Sequence, residues 1–376
     1  MRRVTTPTGV RTLAAALAAA ALTLAAACAP PPSVAVVDAE RASVETGDGL
    51  VVDGERIADA DLLAAATEEG SLSLYSGYVE NSEKEVIKAF EHDTGIEVEL
   101  VRLVPNRLAE RVLSEQGAGR LGADVVRTSD YDIAGRMRDA GVFEAHEVPD
   151  YDRLDESVRY HGGEFYRVFN PLYTFAYNTV LVDEEDAPTS WWDLTEPEWR
   201  GDLGITQIGA GGSSLTLNRF QEDRLGEEYL PALADQEPRI FDSSSAALES
   251  LARGEISVAT GVVSSINIAA SKNAPVDFVI PEEGMAAYDY FVGKTSSAEH
   301  PAAAELFIDW NLSKRGGDVF RQIGEFPARD DLTPPEVMGQ TLPTLASGGV
   351  VRIDPQVLLD HAATDQRRWL GLFGYL

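Results

Sequence analysis

The chain has 376 residues, with 62 acidic and 31 basic side chains, a formal charge of −31 at pH 7 and a single cysteine. So acidic a surface repels nucleic acid, whose binding rests on basic neutralisation of phosphates, and it disfavours adsorption to anionic lipid. One cysteine excludes an intramolecular disulfide and a cysteine-based metal site, so stability must come from a hydrophobic core, and the length is enough for two domains.

Residues 1–27 read as an export signal: Arg2, Arg3 and Arg11 precede an Ala/Leu-rich run over 13–27, with small residues ahead of Cys28. The run falls short of a typical membrane span. Ala25-Ala26-Ala27-Cys28 resembles the bacterial lipobox, although leucine is usual where Ala25 stands. That resemblance implies a diacylglycerol thioether on Cys28, which would become the first residue of the mature chain. An ordinary cleaved signal and a retained anchor helix are the other readings, and each of them exports the body. Pro30, Pro31 and Pro32 open a polar stretch, so 28–57 is expected to be a lipid-anchored flexible tether at the outer face of the cell membrane.

Order is expected from about Ala58. Residues 59–69 have helical spacing, Gly70 stops them, and 71–75 alternate as a strand broken by Ser76-Gly77. An amphipathic helix over 83–92 carries Val86, Ile87 and Phe90 on one side, Gly95 closes it, and 96–101 alternate again. The unit then repeats as a helix over 106–117, a strand entered at 122–126, and a helix opened by Ser129-Asp130 that ends at Ala140-Gly141. A second block, from Tyr173 to about Pro281, has strands at 203–208 and 256–263. Its turns include Gly209–Ser214 ahead of a helix over 215–220, and 242–245 capping one over 246–252. A strand over 288–293 and a helix over 301–312 return the chain to the first block.

Alternating strands and helices predict open, largely parallel sheets covered on both faces. In such sheets ligands collect outside the carboxyl ends of the strands, where free amides at helix starts favour polar or anionic groups.

Several segments resemble one family in their order along the chain. They are Glu68 to Gly77, Ala89-Phe90-Glu91, Thr94 to Val98, Ala176-Tyr177-Asn178-Thr179 and Trp191-Trp192-Asp193-Leu194. Pro197 to Gly201, Ala252 to Glu255 and Ala303 to Trp310 continue the series. Together they are similar to bacterial extracellular solute-binding proteins, and among these to the ferric-iron-binding proteins of ABC importers. The resemblance implies an α/β fold of two Rossmann-like lobes with a ligand cleft between them, joined by two crossover segments, the type II periplasmic-binding-protein arrangement. The crossovers should lie near 169–177 and 281–290. Lobe 1 would comprise 58–170 plus 285–376, and lobe 2 would comprise 171–284. A monomer is expected that captures a small ligand by closure and presents it to an ABC transporter permease, with no nucleic-acid partner and no cofactor.

Iron-binding members of the family hold Fe(III) through two adjacent tyrosines, a histidine and a carboxylate. Here the matching places read Val262-Val263-Ser264-Ser265, Val79 and Ser129, so no metal ligand is assigned. Tyr288, Asp289 and Tyr290 offer oxygens, but alternation puts Asp289 on the opposite face from the two tyrosines. A ferric ion or iron chelate in a non-standard site is the alternative ligand. The favoured one is a small polar, anionic molecule. It would be held by Ser76, Gly77, Tyr78, Ser129 and Asp130 from lobe 1, Gly212, Ser213, Ser214, Thr260 and Gly261 from lobe 2, and Tyr173, Tyr177 and Tyr288 at the hinge. Ser213 and Ser243 also suit plain helix N-caps. No catalytic residue is assigned: the sequence lacks an HExxH pair and a GxSxG elbow, and its five histidines are scattered. An exported enzyme or a ligand sensor on the same fold remains the alternative of another class.

Overall fold

A computed structural model describes Met1 and residues 36–129, 131–149 and 154–375 of the chain. The expected signal beyond Met1, Cys28, the first part of the tether and Asp130 lie outside the described residues.

The tether expected over 28–57 is folded from residue 36 onward. Strands β1 (Val44–Glu45), β2 (Leu50–Val52) and β3 (Glu55–Ala58) form an antiparallel sheet. Asp53-Gly54 turns β2 into β3 with φ of 50° and 84°. Two consecutive positive φ values suit a tight hairpin whose twist matches its strands. Val37, Leu50, Val52 and Ile57 are buried in the main core, so these residues are part of the body. Their polar context hides the pattern, because the apolar runs are only two or three residues long.

The first lobe is built from α1 (Ala60–Glu69), β4 (Ser71–Ser76), α2 (Glu80–Thr94), β5 (Glu97–Arg102), α3 (Pro105–Gly117), β6 (Val125–Thr128), α4 (Tyr131–Asp139), β7 (Arg159–Tyr160) and β8 (Phe165–Asn170). Asp59 caps α1 by accepting from the Leu62 amide, and Gly70 and Gly95 end α1 and α2 in the left-handed region that glycine adopts without cost.

The second lobe takes β9 (Leu172–Asn178), β10 (Leu203–Thr206), α5 (Gly212–Leu225), α6 (Tyr229–Ala234), β11 (Arg239–Phe241), α7 (Ser244–Ala252), β12 (Val258–Val262), α8 (Val263–Ser271), β13 (Val276–Phe278) and β14 (Met285–Ala287). The chain returns through β15 (Tyr290–Lys294), α9 (Pro301–Leu312), α10 (Lys314–Ile323) and β16 (Phe326–Pro327). A short hairpin, β17 (Glu336–Val337) and β18 (Gln340–Thr341), precedes β19 (Val350–Arg352) and α11 (Pro355–Phe373).

Each lobe centres on one sheet, ordered β16-β8-β15-β6-β4-β5 in the first and β11-β10-β12-β9-β14-β19 in the second. The sheets are mixed. The βαβ units give parallel neighbours such as β4/β5 and β10/β12, whereas the strands that cross between lobes enter antiparallel, as in β15/β6 and β12/β9.

The C-terminal segment corrects the expected division, which left 285–376 in lobe 1. Strand β14 pairs with β9, and β19 pairs in parallel with β14. Arg219 of α5 binds Asp365 of α11 at 3.1 Å, and Arg368 of α11 binds Glu222 of α5 at the same distance. Trp369 of α11 is buried in the core, a contribution of roughly 2–3 kcal/mol. The chain therefore passes between the lobes three times, at 170–172, at 288–289, and again between β16 and β19.

The first passage, the second passage and the end of β19 meet at Asp289. Arg352 donates to it twice, Nε to Oδ1 at 2.7 Å and Nη2 to Oδ2 at 2.6 Å. Asn170 donates to Oδ1 at 2.6 Å and to the Tyr288 carbonyl at 3.0 Å, and is itself held by Arg167. Asp289 is 8% exposed, and a bidentate guanidinium–carboxylate pair so sheltered fixes geometry as well as energy. Asp289→Ala strands the Arg352 charge, so unfolding free energy should fall by about 3 kcal/mol. The urea midpoint should drop at unchanged slope, whereas a loss under about 0.5 kcal/mol would mean the pair acts like an exposed one.

Candidate functional site

Two strand-to-helix turns, one per lobe, face a common space. Strand β6 delivers Ser129, and the first turn of α4 adds Tyr131 and Asp132, while the first turns of α5 add Leu215 and Thr216. The second passage supplies Tyr288 and Asp289, and β15 supplies Phe291. Ile353, just after β19, and Pro355, Leu358, Leu359, Ala362 and Ala363 of α11 close the side. The cavity so enclosed measures about 240 Å³.

The lobes touch beside it. Asn106 at the start of α3 donates to the Gly209 carbonyl across the cleft. A Cβ at Gly211 would stand 3.1 Å from the Pro105 ring, and one at Gly77 would stand 3.3 Å from it. Glycine at both places lets a lobe 1 proline sit between the two loops.

Of the residues expected to hold ligand, Ser129 and Tyr288 line the cavity. Asp130 lies outside the described residues. Gly212 opens α5, and Ser213 follows it one turn ahead of Thr216 but is not among the residues of the cavity wall. Gly211, not Ser213, occupies the N-cap, because α5 begins three residues earlier than its apolar pattern suggests; Ser243 does cap α7.

The other candidates are placed elsewhere. Ser76 is fully buried, donates to Glu83 and accepts from the Tyr78 amide, a turn role inside lobe 1. Glu83 also binds Arg127 at 2.5 Å, and Arg127 donates to Asn311 among the Phe169, Phe307 and Phe320 rings. The Gly77 carbonyl accepts from the Tyr290 phenol at 3.1 Å. Ser214, Thr260 and Tyr173 surround a small space within lobe 2, where the Tyr173 phenol lies 3.2 Å from Thr206. Gly261 is interior to β12, opposite Thr174. Tyr177 sits at the far end of β9, paired with Val258 and Asp277, well along the strand from the hinge end at Leu172. Period-2 alternation is blind to which end of a strand meets the cleft, and that is why these residues were grouped together.

Tyr131, Asp132, Leu215, Thr216 and the α11 wall are not among the expected site residues, and Asp289, weighed only as an oxygen donor to iron, is on the wall paired with Arg352. The apolar spacing of 358, 359, 362 and 363 behind the Asp354 cap and Pro355 is the signal that would have found that wall.

The seam between the lobes holds one unusual acid. Glu325, fully buried, accepts from the Tyr78 phenol of lobe 1, and Ser264 at the start of α8 in lobe 2 lies within hydrogen-bonding reach. Asn267 of α8 donates to the neighbouring Ile323 carbonyl at 2.9 Å. Burial pushes the Glu325 carboxyl up to about 7, against the smaller opposing effect of Ser264 and Tyr78. Burial likewise raises the phenols of Tyr78, Tyr173, Tyr288 and Tyr290, so all four keep their protons. Among the described residues, no group of three or more His, Cys, Asp or Glu is placed to hold a metal ion.

The comparisons with known proteins agree with this geometry. The sequence pattern of the family described as "Bacterial extracellular solute-binding protein" matches residues 123–346. An Fe(3+)-binding periplasmic protein of Serratia marcescens is 21% identical over 70% of this chain and 79% of its own length. Iron-bound HitA from Pseudomonas aeruginosa superposes with a TM-score of 0.62 at 22% identity, covering 80% of this chain and 99% of that one. AfuA from Actinobacillus pleuropneumoniae, with fructose-6-phosphate bound, gives 0.66 at 20% identity, covering 82% and 100%.

Glu325 makes stability depend on pH. Its carboxyl is near 4.5 when unfolded and about 7 when folded, so the fold binds the extra proton. The penalty for ionising it in place grows as pH rises from 4.5 to 7 and is constant above. Glu325→Gln keeps hydrogen-bonding groups without the ionisation. The variant should therefore be more stable than the parent at pH 8, by up to roughly 3 kcal/mol, with the gap closing towards pH 4.5. Thermal melts across that range would show it, and a gap independent of pH would contradict it.

Proposed function

The chain belongs to the bacterial extracellular solute-binding proteins, and from that membership we propose that it captures a small organic solute in the inter-lobe cavity and hands it to the permease of an ABC importer. The carrying observation is that one cavity is walled by strand-to-helix turns of both lobes, by the second passage between them and by the C-terminal helix α11. Separating the lobes opens it, and closing them excludes water from a bound molecule.

An organic solute fits better than the ferric ion of the Serratia and Pseudomonas relatives. Val262-Val263-Ser264-Ser265 stands where the resemblance to ferric-iron-binding proteins implies a tyrosine pair. Two of the tyrosines near the seam have other engagements: Tyr78 donates to Glu325, and Tyr290 to the Gly77 carbonyl. Phenols raised by burial resist the deprotonation that ferric ligation requires.

Transport is favoured over catalysis because the histidines have structural partners. His92 is beside Asp93, His146 beside Asp309, and His300 beside Asp124, while His161 meets Arg138 and His361 meets the Val357 carbonyl.

No helix among the described residues is long and apolar enough to cross a membrane. For attachment we propose the lipid on Cys28. Dual acylation holds a protein stably where one chain does not, so the parent should sediment with membranes and Cys28→Ser should not. A parent protein recovered wholly in the soluble exported fraction would remove the anchor from the account.

Closure is tested by small-angle X-ray scattering on protein refolded free of solute. Returning the low-molecular-weight extract released from natively purified protein should shrink the radius of gyration. An extract that binds without any contraction would contradict capture by closure.

A further inference from the structure

Among the described residues, every ionised side chain lining the inter-lobe cavity already has a partner. Both oxygens of Asp289 are bound by Arg352, and one of them also accepts from Asn170. Asp132 pairs with Arg136 at 3.0 Å, each side chain about half exposed. Arginine, lysine and histidine are absent from the described residues of the wall. A charge of either sign brought into this space would lose its water and meet no free counter-charge, which costs several kcal/mol. An anion would also lie beside two carboxylates.

The rest of the wall is suited to a neutral molecule. Leu358, Leu359, Ala362 and Ala363 form one stripe of α11, with Leu215 and Phe291 completing the apolar lining. The remaining polar side chains among the described residues are the hydroxyls of Ser129, Tyr131, Thr216 and Tyr288. A hydroxyl can donate or accept, so it serves a carbonyl, amide or alcohol without demanding charge.

Resting on the reading of this cavity as the capture site, we infer that the ligand is an uncharged amphiphilic organic molecule. Its apolar body lies against α11, and its hydrogen-bonding end lies at Ser129, Thr216 and Tyr288. This replaces the anion expected from the glycines and serines of 209–214, because Ser214 is turned into the interior of lobe 2 and brings no hydroxyl to the cavity.

Three probes that share one ring and differ in head-group charge test the inference: cyclohexylmethanol, cyclohexylmethylamine and cyclohexanecarboxylate, titrated by calorimetry into solute-free protein at neutral pH. The alcohol should bind at least roughly tenfold more tightly than either ion. In Leu359→Arg, which adds a counter-charge to the stripe, the order should reverse in favour of the carboxylate. Equal or tighter binding of either ion by the parent overturns the inference, as does saturation by none of the three. Mass spectrometry of the solute released from natively purified protein separates the two levels. A released anion or amine refutes the ligand class and leaves capture standing. Protein that carries no solute, binds no probe and does not contract refutes capture itself.

Discussion

The two lobes and the cavity between them depend on one buried carboxylate. Asp289 receives Arg352 from the end of β19 and Asn170 from the first passage, and it sits in the second itself. Three backbone segments that share one acceptor cannot slide independently, so relative motion of the lobes is confined to bending about this point. The same carboxylate is part of the cavity wall. Its pairing with Arg352 thus sets the direction of closure and leaves the cavity without a free charge.

Around that node the seam is made of close approaches that tolerate only small residues. Pro105 is lodged between Gly77 and Gly211, and the turn at Ile323–Glu325 is held to the start of α8 by Asn267. Glu325 accepts from Tyr78 there, and its carboxyl is in equilibrium with its ionised form near neutrality. Opening the seam would hydrate that acid and release its proton, so neutral pH puts a modest bias against the closed form that a bound solute has to offset. The heavily charged groups of the first lobe are remote from this balance: Arg127 with Glu83, and Arg315 with Asp93, are locked in the core.

Much of the architecture was legible. The helix stops at Gly70 and Gly95, the strand over 71–75 and the leave-and-return path follow from local rules, since capping and alternation are short-range. What was not legible depends on contacts distant in sequence. The C-terminal helix joins lobe 2 through Asp365 and Trp369, and nothing in 355–373 itself says which lobe will receive it. The sheet over 44–58 was hidden because its three strands are too short to show a period. The site suffered most. Ser76, Ser214 and Thr260 are the right residue type next to the right turns, yet Ser76 spends its hydroxyl on a turn, and Ser214 and Thr260 are buried inside lobe 2. The direction in which a turn residue points is set by the packing of the helix that follows, as the early start of α5 at Gly212 shows. Ser129 and Tyr288 do line the cavity, because strand ends and hinges face the cleft by topology alone.

The central claim is that the inter-lobe cavity holds the ligand, and filling that cavity tests it most directly. Ala363 is on the cavity wall yet solvent-accessible, so Ala363→Trp can occupy the space without burdening the core. Native mass spectrometry of the parent and the variant, purified identically, should show one solute molecule on the parent chain and none on the variant, with equal melting temperatures for the two solute-free proteins. A variant that still carries the solute at the parent's occupancy would place the ligand outside this cavity and contradict the account.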